Sequence, residues 1–241
     1  FLCLPHMAAQ TIAGDLLATT RVIDLSADFR LGSTADFRRY YGEQHQAPGL
    51  LGQFVYGLPA LYRERIAHAR AVANPGCYAT LAQLLLYPFR DALQHAHVTA
   101  VSGTTGAGRK ARDPATHPVC AQDMYSYGIN AHRHLPEITA TLGIEAQRLD
   151  FVPTLGPFLR GIHATAFIRG ASLETPMDIA AATYSHAPFI RMAETVSINR
   201  VAGTNFCDLN YRAANDGGIL AQGALDNLVK GASGTAVQNM N

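Results

Sequence analysis

Ala71-Val72-Ala73-Asn74-Pro75-Gly76-Cys77-Tyr78-Ala79-Thr80-Leu81 is the stretch on which the fold turns. Three small apolar residues run into Asn-Pro-Gly, and beyond it Leu81, Leu84 and Leu85 recur at helical spacing until Pro88 closes the run. That is a strand feeding a helix through a tight turn, the unit from which α/β sheets are built. Asn74 suits the helix N-cap and Pro75 the first helical position, because a cap side chain accepts an orphan N–H and proline has none to lose. Cys77 then falls in the first turn, where unpaired N–H groups and the helix dipole favour negative charge and hence the thiolate. Local context leaves two readings open, a nucleophile or a buried structural cysteine.

Working outward, Val22-Ile23-Asp24-Leu25 and Val98-Thr99-Ala100-Val101 repeat the strand pattern between helical stretches, so the first half reads as α/β layers. From about residue 145 strand-like segments follow one another: Leu149 to Val152, Gly161 to Ile168, Val196 to Val201, Phe206 to Tyr211 and Gly218 to Gln222, with one helix near Met177 to His186. Such a succession predicts an α+β unit whose sheet is covered by helices or by a second copy of the chain. Leu225 to Asn239 returns to helical spacing. Phe1 to His6 reads as the end of a buried strand, so the chain is expected to begin inside a domain.

With 48% hydrophobic residues among 241 the chain can bury a substantial core, and its net charge of +1 offers no footprint for nucleic acid or an anionic membrane. No apolar run is long enough to span a bilayer. Cys3, Cys77, Cys120 and Cys207 are widely spaced without a C-x-x-C pair, which argues against a disulfide framework or zinc site and for a reducing, cytoplasmic setting. Cys3, Cys120 and Cys207 read as structural. No metal is expected, since His132-x-His134 has only Glu137 near it at ligand spacing.

A thiolate attacking an acyl carbon needs a group to manage a proton and the developing oxyanion. Asn130-Ala131-His132-Arg133-His134-Leu135-Pro136-Glu137 offers two imidazoles, a guanidinium and a carboxylate, although a solvated helix start would look the same. Arg160, in the Pro- and Gly-rich loop before His163, could grip a phosphate or carboxylate, or could be a surface arginine. Ser102-Gly103-Thr104-Thr105-Gly106-Ala107-Gly108-Arg109-Lys110 follows a strand; its glycines allow close backbone approach to a phosphate or nicotinamide, and Ser102, Thr104, Arg109 and Lys110 supply donors. Its order is G-x-x-G-x-G, and the dinucleotide fingerprint G-x-G-x-x-G occurs nowhere in the chain. On these residues alone a thiol acyltransferase or hydrolase stays open.

Taken in order, Val22 to Leu31, Tyr56-Gly57-Leu58-Pro59, Asn74 to Thr80, Ser102 to Arg109, His132 to Ile138 and Leu225 to Asn241 resemble the N-acetyl-gamma-glutamyl-phosphate reductase family across essentially the whole chain. One departure is Ala60, where the family usually carries an acid. The resemblance implies a Rossmann-type dinucleotide-binding domain, residues 1–76 and 222–241, interrupted by an α+β catalytic and dimerisation domain of the glyceraldehyde-3-phosphate dehydrogenase type, residues 77–221. It puts the glycine fingerprint upstream of Phe1. It implies that N-acetyl-glutamyl phosphate is reduced with NADP as cofactor, in a homodimer or homotetramer and without nucleic-acid or membrane partners.

In the implied roles, Cys77 is the nucleophile and His132 the proton donor, with Arg133, His134, Glu137 and Arg160 on the substrate side. Pro5, His6, Ser102, Gly103, Gly106 and Asn227 line the cofactor. The related reductase of a carrier-bound aminoadipyl phosphate is the nearest rival; an assembly module presenting its sheet to a partner is the non-enzymatic alternative.

Overall fold

Three short strands, β1 (Val22–Asp24), β2 (Phe54–Tyr56) and β3 (Ala71–Ala73), pair in parallel in the order β1-β3-β2, and Leu2 adds a parallel bridge to Asp24 on the outer side of β1. The structure, a computed structural model, describes residues 1–108, 117–170 and 175–241. This small sheet belongs to a first unit, Phe1–Gly76 with Ala232–Asn241; Cys77–Gly231 form a second. Helices α1 (Ala8–Thr19), α2 (Thr34–Tyr41) and α3 (Pro59–Ala67) connect the strands. Every residue of β1 and β3 is buried, as a parallel sheet covered on both faces requires. Leu2, Ala9, Ala13, Val22, Phe29 and Phe54 fill one side, and Ile23, Ile66, Val72 and Ala236 the other.

The second unit begins with α4 (Cys77–Leu86), the helix foreseen after the Asn-Pro-Gly turn. Its start at Cys77 corrects the capping assignment. Asn74 instead donates from Nδ2 to the Ala232 carbonyl at 3.1 Å and accepts from Asn239 Nδ2 at 3.0 Å, tying the last helix to the first unit. After α4 come β4 (Leu93–Ser102), α5 (His117–Cys120), β5 (Tyr125–Ser126), α6 (Leu135–Leu142), β6 (Leu149–Leu155), β7 (Ile162–Gly170), α7 (Pro176–Thr183), β8 (Ile190–Met192), α8 (Ile198–Val201), β9 (Cys207–Ala213) and β10 (Ile219–Leu225). The strands make one mixed sheet in the order β5-β6-β4-β7-β10-β9-β8, with β6 parallel to β4 and β8 parallel to β9.

All of α4 except Cys77 is buried. A helix apolar on every side belongs in the middle of a domain. Gly223 makes room for it on the sheet, since a Cβ there would stand 2.9 Å from Leu81. Two buried phenols satisfy its carboxyl end: Tyr184 donates to the Leu84 carbonyl at 2.7 Å, and Tyr211 to Leu85 at 3.2 Å. Gln83 donates to the Glu137 carbonyl and Thr141, binding α4 to α6. On the opposite face of the sheet, His97, Thr99 and Val101 of β4 lie in register with Phe167, Thr165 and His163 of β7, and these six are half-buried or exposed.

Four sequence expectations change here. Val196 to Val201 is not a strand: Ile198–Val201 turn helically, and the edge strand is Ile190–Met192. The helical pattern from Leu225 to Asn239 is broken, because Leu225 ends β10 and a π-helical turn, Val229–Ser233, precedes α9 (Gly234–Met240). The return to the first unit therefore comes at Ala232 rather than 222: β10 is held along its full length between β7 and β9. Cys3 is exposed rather than buried, while Cys120 and Cys207 are buried.

Candidate active site

Cys77 is the one partly exposed residue of α4, at its amino end. Gly231, in the π-helical turn, lies against it: a Cβ at 231 would stand 2.7 Å from the cysteine Cβ, so only glycine lets the turn approach this closely. The turn is fixed by Asp226, whose Oδ1 accepts the Leu228 and Val229 N–H groups at 2.8 and 2.9 Å and whose carbonyl accepts from Gly231. Asp226 Oδ2 accepts from Gly203 N–H at 2.6 Å and stands 3.4 Å from Arg160 Nε. Arg160 thus rests one side of its guanidinium on a fully buried carboxylate while its side chain stays 45% exposed, as an anion-gripping group requires.

His132 is delivered by a segment pinned to β6. Tyr127 N–H donates to the Pro153 carbonyl and Asn130 N–H to that of Phe151, while Asn130 Oδ1 accepts from Phe151 N–H. Asn130 adopts the left-handed conformation, φ 53°, that this double contact demands. His132 Nδ1 accepts from His134 N–H at 3.1 Å, which leaves the hydrogen of a neutral imidazole on Nε2. Burial, reinforced by the neighbouring Arg133 charge, pulls the imidazole down to about 4, so it is neutral at physiological pH.

Around His132 stand four rings, all edge-on: Tyr78 at 5.5 Å, Tyr127 at 5.5 Å, His134 at 4.7 Å and Phe151 at 5.8 Å between centroids. Tyr127 donates to the Tyr78 hydroxyl at 3.4 Å, and Tyr78 to the Thr154 carbonyl at 2.8 Å. Both phenols are held above their ordinary value, first by burial, and the nearby Cys77 charge adds to the effect. The cysteine and the histidine of the sequence reading therefore share one aromatic surround. The two tyrosines were not among the sequence candidates; a position next to the nucleophile was the only signal for Tyr78, and Tyr127 had none.

The remaining candidates divide by exposure. Arg133 is exposed, whereas His134 and Glu137 are 5% and 1% exposed, with His134 Nε2 3.9 Å from Glu137 Oε1. They lie beneath His132 as its support and offer little surface to a ligand. The glycine loop is likewise not an open cradle: Gly103, Thr104 and Thr105 donate their N–H groups to the carbonyls of Gly161, Phe158 and Leu159. A Cβ at Gly103 would strike the Leu159 backbone at 2.6 Å, and one at Gly106 would strike Ser102 Oγ at 2.6 Å. Asn227 is buried, accepting from Gly161 N–H at 2.7 Å and donating to Thr105 Oγ1 at 3.0 Å. Arg109 and Lys110 lie outside the described residues.

In the first unit, Pro5 and His6 follow Leu2 at the carboxyl edge of the parallel sheet, the edge where open α/β sheets bind nucleotides. His6 keeps its side chain 40% exposed while Nδ1 accepts from Ala27 N–H, and the buried Asp28 Oδ2 has no hydrogen-bond partner among the described residues. Strand direction and exposure fit a nucleotide there. Among the described residues no group of three or more His, Cys, Asp and Glu side chains could hold a metal ion, and no helix is long and apolar enough to cross a membrane.

A family model described as the dimerisation domain of semialdehyde dehydrogenase matches residues 77–227. Among solved structures, aspartate semialdehyde dehydrogenase II from Vibrio cholerae is 15% identical with a TM-score of 0.75, covering 98% of this chain and 76% of its own. Aspartate semialdehyde dehydrogenase from Francisella tularensis is 12% identical with a TM-score of 0.70, covering 99% and 79%. These show the fold. Sequence likeness is closer to the N-acetyl-gamma-glutamyl-phosphate reductases of Chlorobaculum tepidum and Methanopyrus kandleri, each 42% identical over 100% of this chain and 74% and 73% of the relative. That of Pseudomonas aeruginosa is 41% identical over 100% of this chain and 74% of its own length. With matches of this extent, the chain belongs to the N-acetyl-gamma-glutamyl-phosphate reductases, oxidoreductases built on the semialdehyde dehydrogenase fold.

Proposed function

We propose that this chain reduces N-acetyl-glutamyl 5-phosphate to the 5-semialdehyde with release of phosphate, in arginine biosynthesis, with Cys77 as nucleophile, His132 as the group that meets the oxyanion and NADP as the cofactor. The observation that carries the reading is one partly exposed cysteine at the start of a buried helix, beside the same two tyrosines whose rings lie edge-on, each at 5.5 Å, to a half-buried, neutral histidine. Family membership implies a nucleotide cofactor; the choice of NADP is part of the proposal.

Cys77 Sγ, favoured as thiolate in the first helical turn, attacks the acyl carbon; the carbon–oxygen bond to phosphate breaks and a thioester remains. When bound, the reduced nicotinamide supplies the hydride that this thioester accepts. His132 Nε2–H donates to the oxyanion of the resulting thiohemiacetal, acting as a neutral donor rather than as imidazolium. The oxyanion then re-forms a carbonyl, the carbon–sulfur bond breaks, and Cys77 leaves as thiolate ready for another turnover. This refines the sequence expectation, in which His132 gave up a proton outright.

Arg160, braced on Asp226, would hold an anionic group of the substrate, and exposed Arg133 would add charge at the rim. Pro5 and His6 would lie along the cofactor on the first unit, and Ser102, Gly103, Gly106 and Asn227 would shape its nicotinamide side by fixing the loop Phe158–Gly161. The half-exposed sheet face bearing Thr99, Thr165 and Phe167 suits a second copy of the chain, as in a homodimer or homotetramer. A cytoplasmic setting goes with exposed, unpaired Cys3.

The test is the reverse reaction in the full-length protein: phosphate-dependent reduction of NADP by N-acetylglutamate semialdehyde, with Cys77→Ser alongside. Turnover reduced by at least about 10³-fold in the variant is expected. Acceptance of aminoadipyl semialdehyde alone would move the protein to the lysine-type branch, and substantial turnover in Cys77→Ser would overturn the nucleophile.

A further inference from the structure

His132 has four ring neighbours, and they are not equivalent. Tyr78 is 3% exposed, His134 5% and Phe151 fully buried. Tyr127 alone reaches the surface, being half-buried on a segment whose neighbours Ser126 and Gly128 are exposed. Three walls of the imidazole's enclosure are thus part of the core; the imidazole, itself half-buried, is covered by the fourth on the side where the Tyr127 ring meets it.

Its placement is fixed from several directions. The Tyr127 N–H is held by the Pro153 carbonyl, extending the β5–β6 pairing by one residue, and its hydroxyl donates to Tyr78. Gly128 follows with φ 55°, and the space of its missing Cβ is bordered by His132 Cα and Cβ at 3.5 and 3.6 Å. A Cβ there would make only ordinary contact with His132, so glycine is called for by the left-handed backbone that turns the segment.

We propose that Tyr127 is a positioning residue for His132, a ring wall that excludes water from the imidazole and keeps it neutral with its Nε2 hydrogen available to the reacting oxygen. This rests on the function proposed for His132, and deepens it. The ionisable groups beside the imidazole are Tyr78 from α4, Tyr127 from the β5 segment, and Arg133 and His134 before α6, with Cys77 adjoining the two tyrosines and Glu137 adjoining His134. β6 presents only the Phe151 ring, since Asp150 turns to the other face and meets Asn130 and His95. The largest influence holding the imidazole down is desolvation, with the Arg133 charge second. Removing the wall acts on the larger.

The ring, rather than the hydroxyl, makes the wall. Tyr127→Phe keeps the edge-on contact and loses only the 3.4 Å bond to Tyr78, which retains its own 2.8 Å bond to Thr154. Tyr127→Ala opens the enclosure. Two readouts separate this proposal from a general loss of structure: the titration midpoint of the His132 imidazole by NMR, and the acid limb of kcat against pH.

In the full-length protein, Tyr127→Ala is expected to raise the His132 midpoint by about two units towards 6.5, and to lower kcat about 10-fold near pH 5 with KM changed less than about 2-fold. Tyr127→Phe is expected to keep the midpoint within about 0.3 units and kcat within about 3-fold. Tyr125→Ala, whose ring neighbours Tyr127 but is not in contact with His132, serves as the control for disturbing the segment. An unmoved midpoint in Tyr127→Ala overturns the proposal, as does a Tyr127→Phe variant that behaves like Tyr127→Ala. The midpoint is read without substrate, so it tests the wall even where the assigned reaction itself fails.

Discussion

Cys77 and Cys207 belong to the same unit and carry the same thiol, yet they are built for opposite ends. Cys77 opens a helix and is partly exposed, whereas Cys207 opens the interior strand β9 and is fully buried. Burial pushes the Cys207 thiol up to about 12, against the pull of the neighbouring Lys230 charge. Lys230 is itself buried and drawn down to about 8, again mainly by desolvation. A positive charge nearby therefore does not make a reactive cysteine when both groups are out of water. Position on a helix end and access to solvent do.

The hardest test of this contrast is alkylation by iodoacetamide at pH 7.5, followed residue by residue by mass spectrometry. Cys77 is expected to react at least about 10³ times faster than Cys207, which should be modified only as the protein unfolds. Exposed Cys3 should react as an ordinary surface thiol and sets the scale. Comparable rates at Cys77 and Cys207 in the folded protein would break the comparison.

A middle-sized effect is expected at Gly231, the backbone on which Cys77 rests. A methyl group there would stand 2.7 Å from the Cys77 Cβ, and neither the first turn of α4 nor the turn tied down by Asp226 has room to yield. Gly231→Ala should lower kcat about 10- to 100-fold through a displaced sulfur, with a stability loss of about 1–3 kcal/mol by thermal unfolding. A variant with full activity would show that the sulfur's place is set by α4 alone.

How much of this could be read beforehand differs between the two cysteines. The fold class was legible because Ala71–Ala73, the Asn-Pro-Gly turn and the leucines of α4 are local, and the mixed second unit was legible from its run of strands. Cys77 could be placed in the first helical turn for the same reason. Asn74 could not be placed, because its amide binds Ala232 and Asn239, more than a hundred residues away. The glycines at 103 and 106 signalled close approach correctly but not its object, which is the chain itself at Leu159 and Ser102. Tyr127 and Gly231 left no periodic trace at all; each matters only through a partner brought up by the sheet.

A further effect lies in stability below neutral pH, where Cys207 should be silent and the rings around the active-site pair should not. Cys207 is held protonated up to about 12, so it adds no slope in the acid range. His132 titrates at about 6.5 when unfolded and about 4 when folded, so between these values the unfolded chain binds more protons. The stability that goes with a neutral imidazole is fully present above pH 6.5, declines as the pH falls through that window and is lost below about 4. Its magnitude is on the order of 3 kcal/mol. His163, lowered by burial on the open sheet face, acts in the same direction. His132→Gln should therefore flatten the decline in unfolding free energy measured by denaturant titration between pH 7 and 5, because it removes the ring that must be dehydrated as a cation. An unchanged slope would mean that the enclosure admits water on acidification, so that the rings around His132 dehydrate it only near neutral pH.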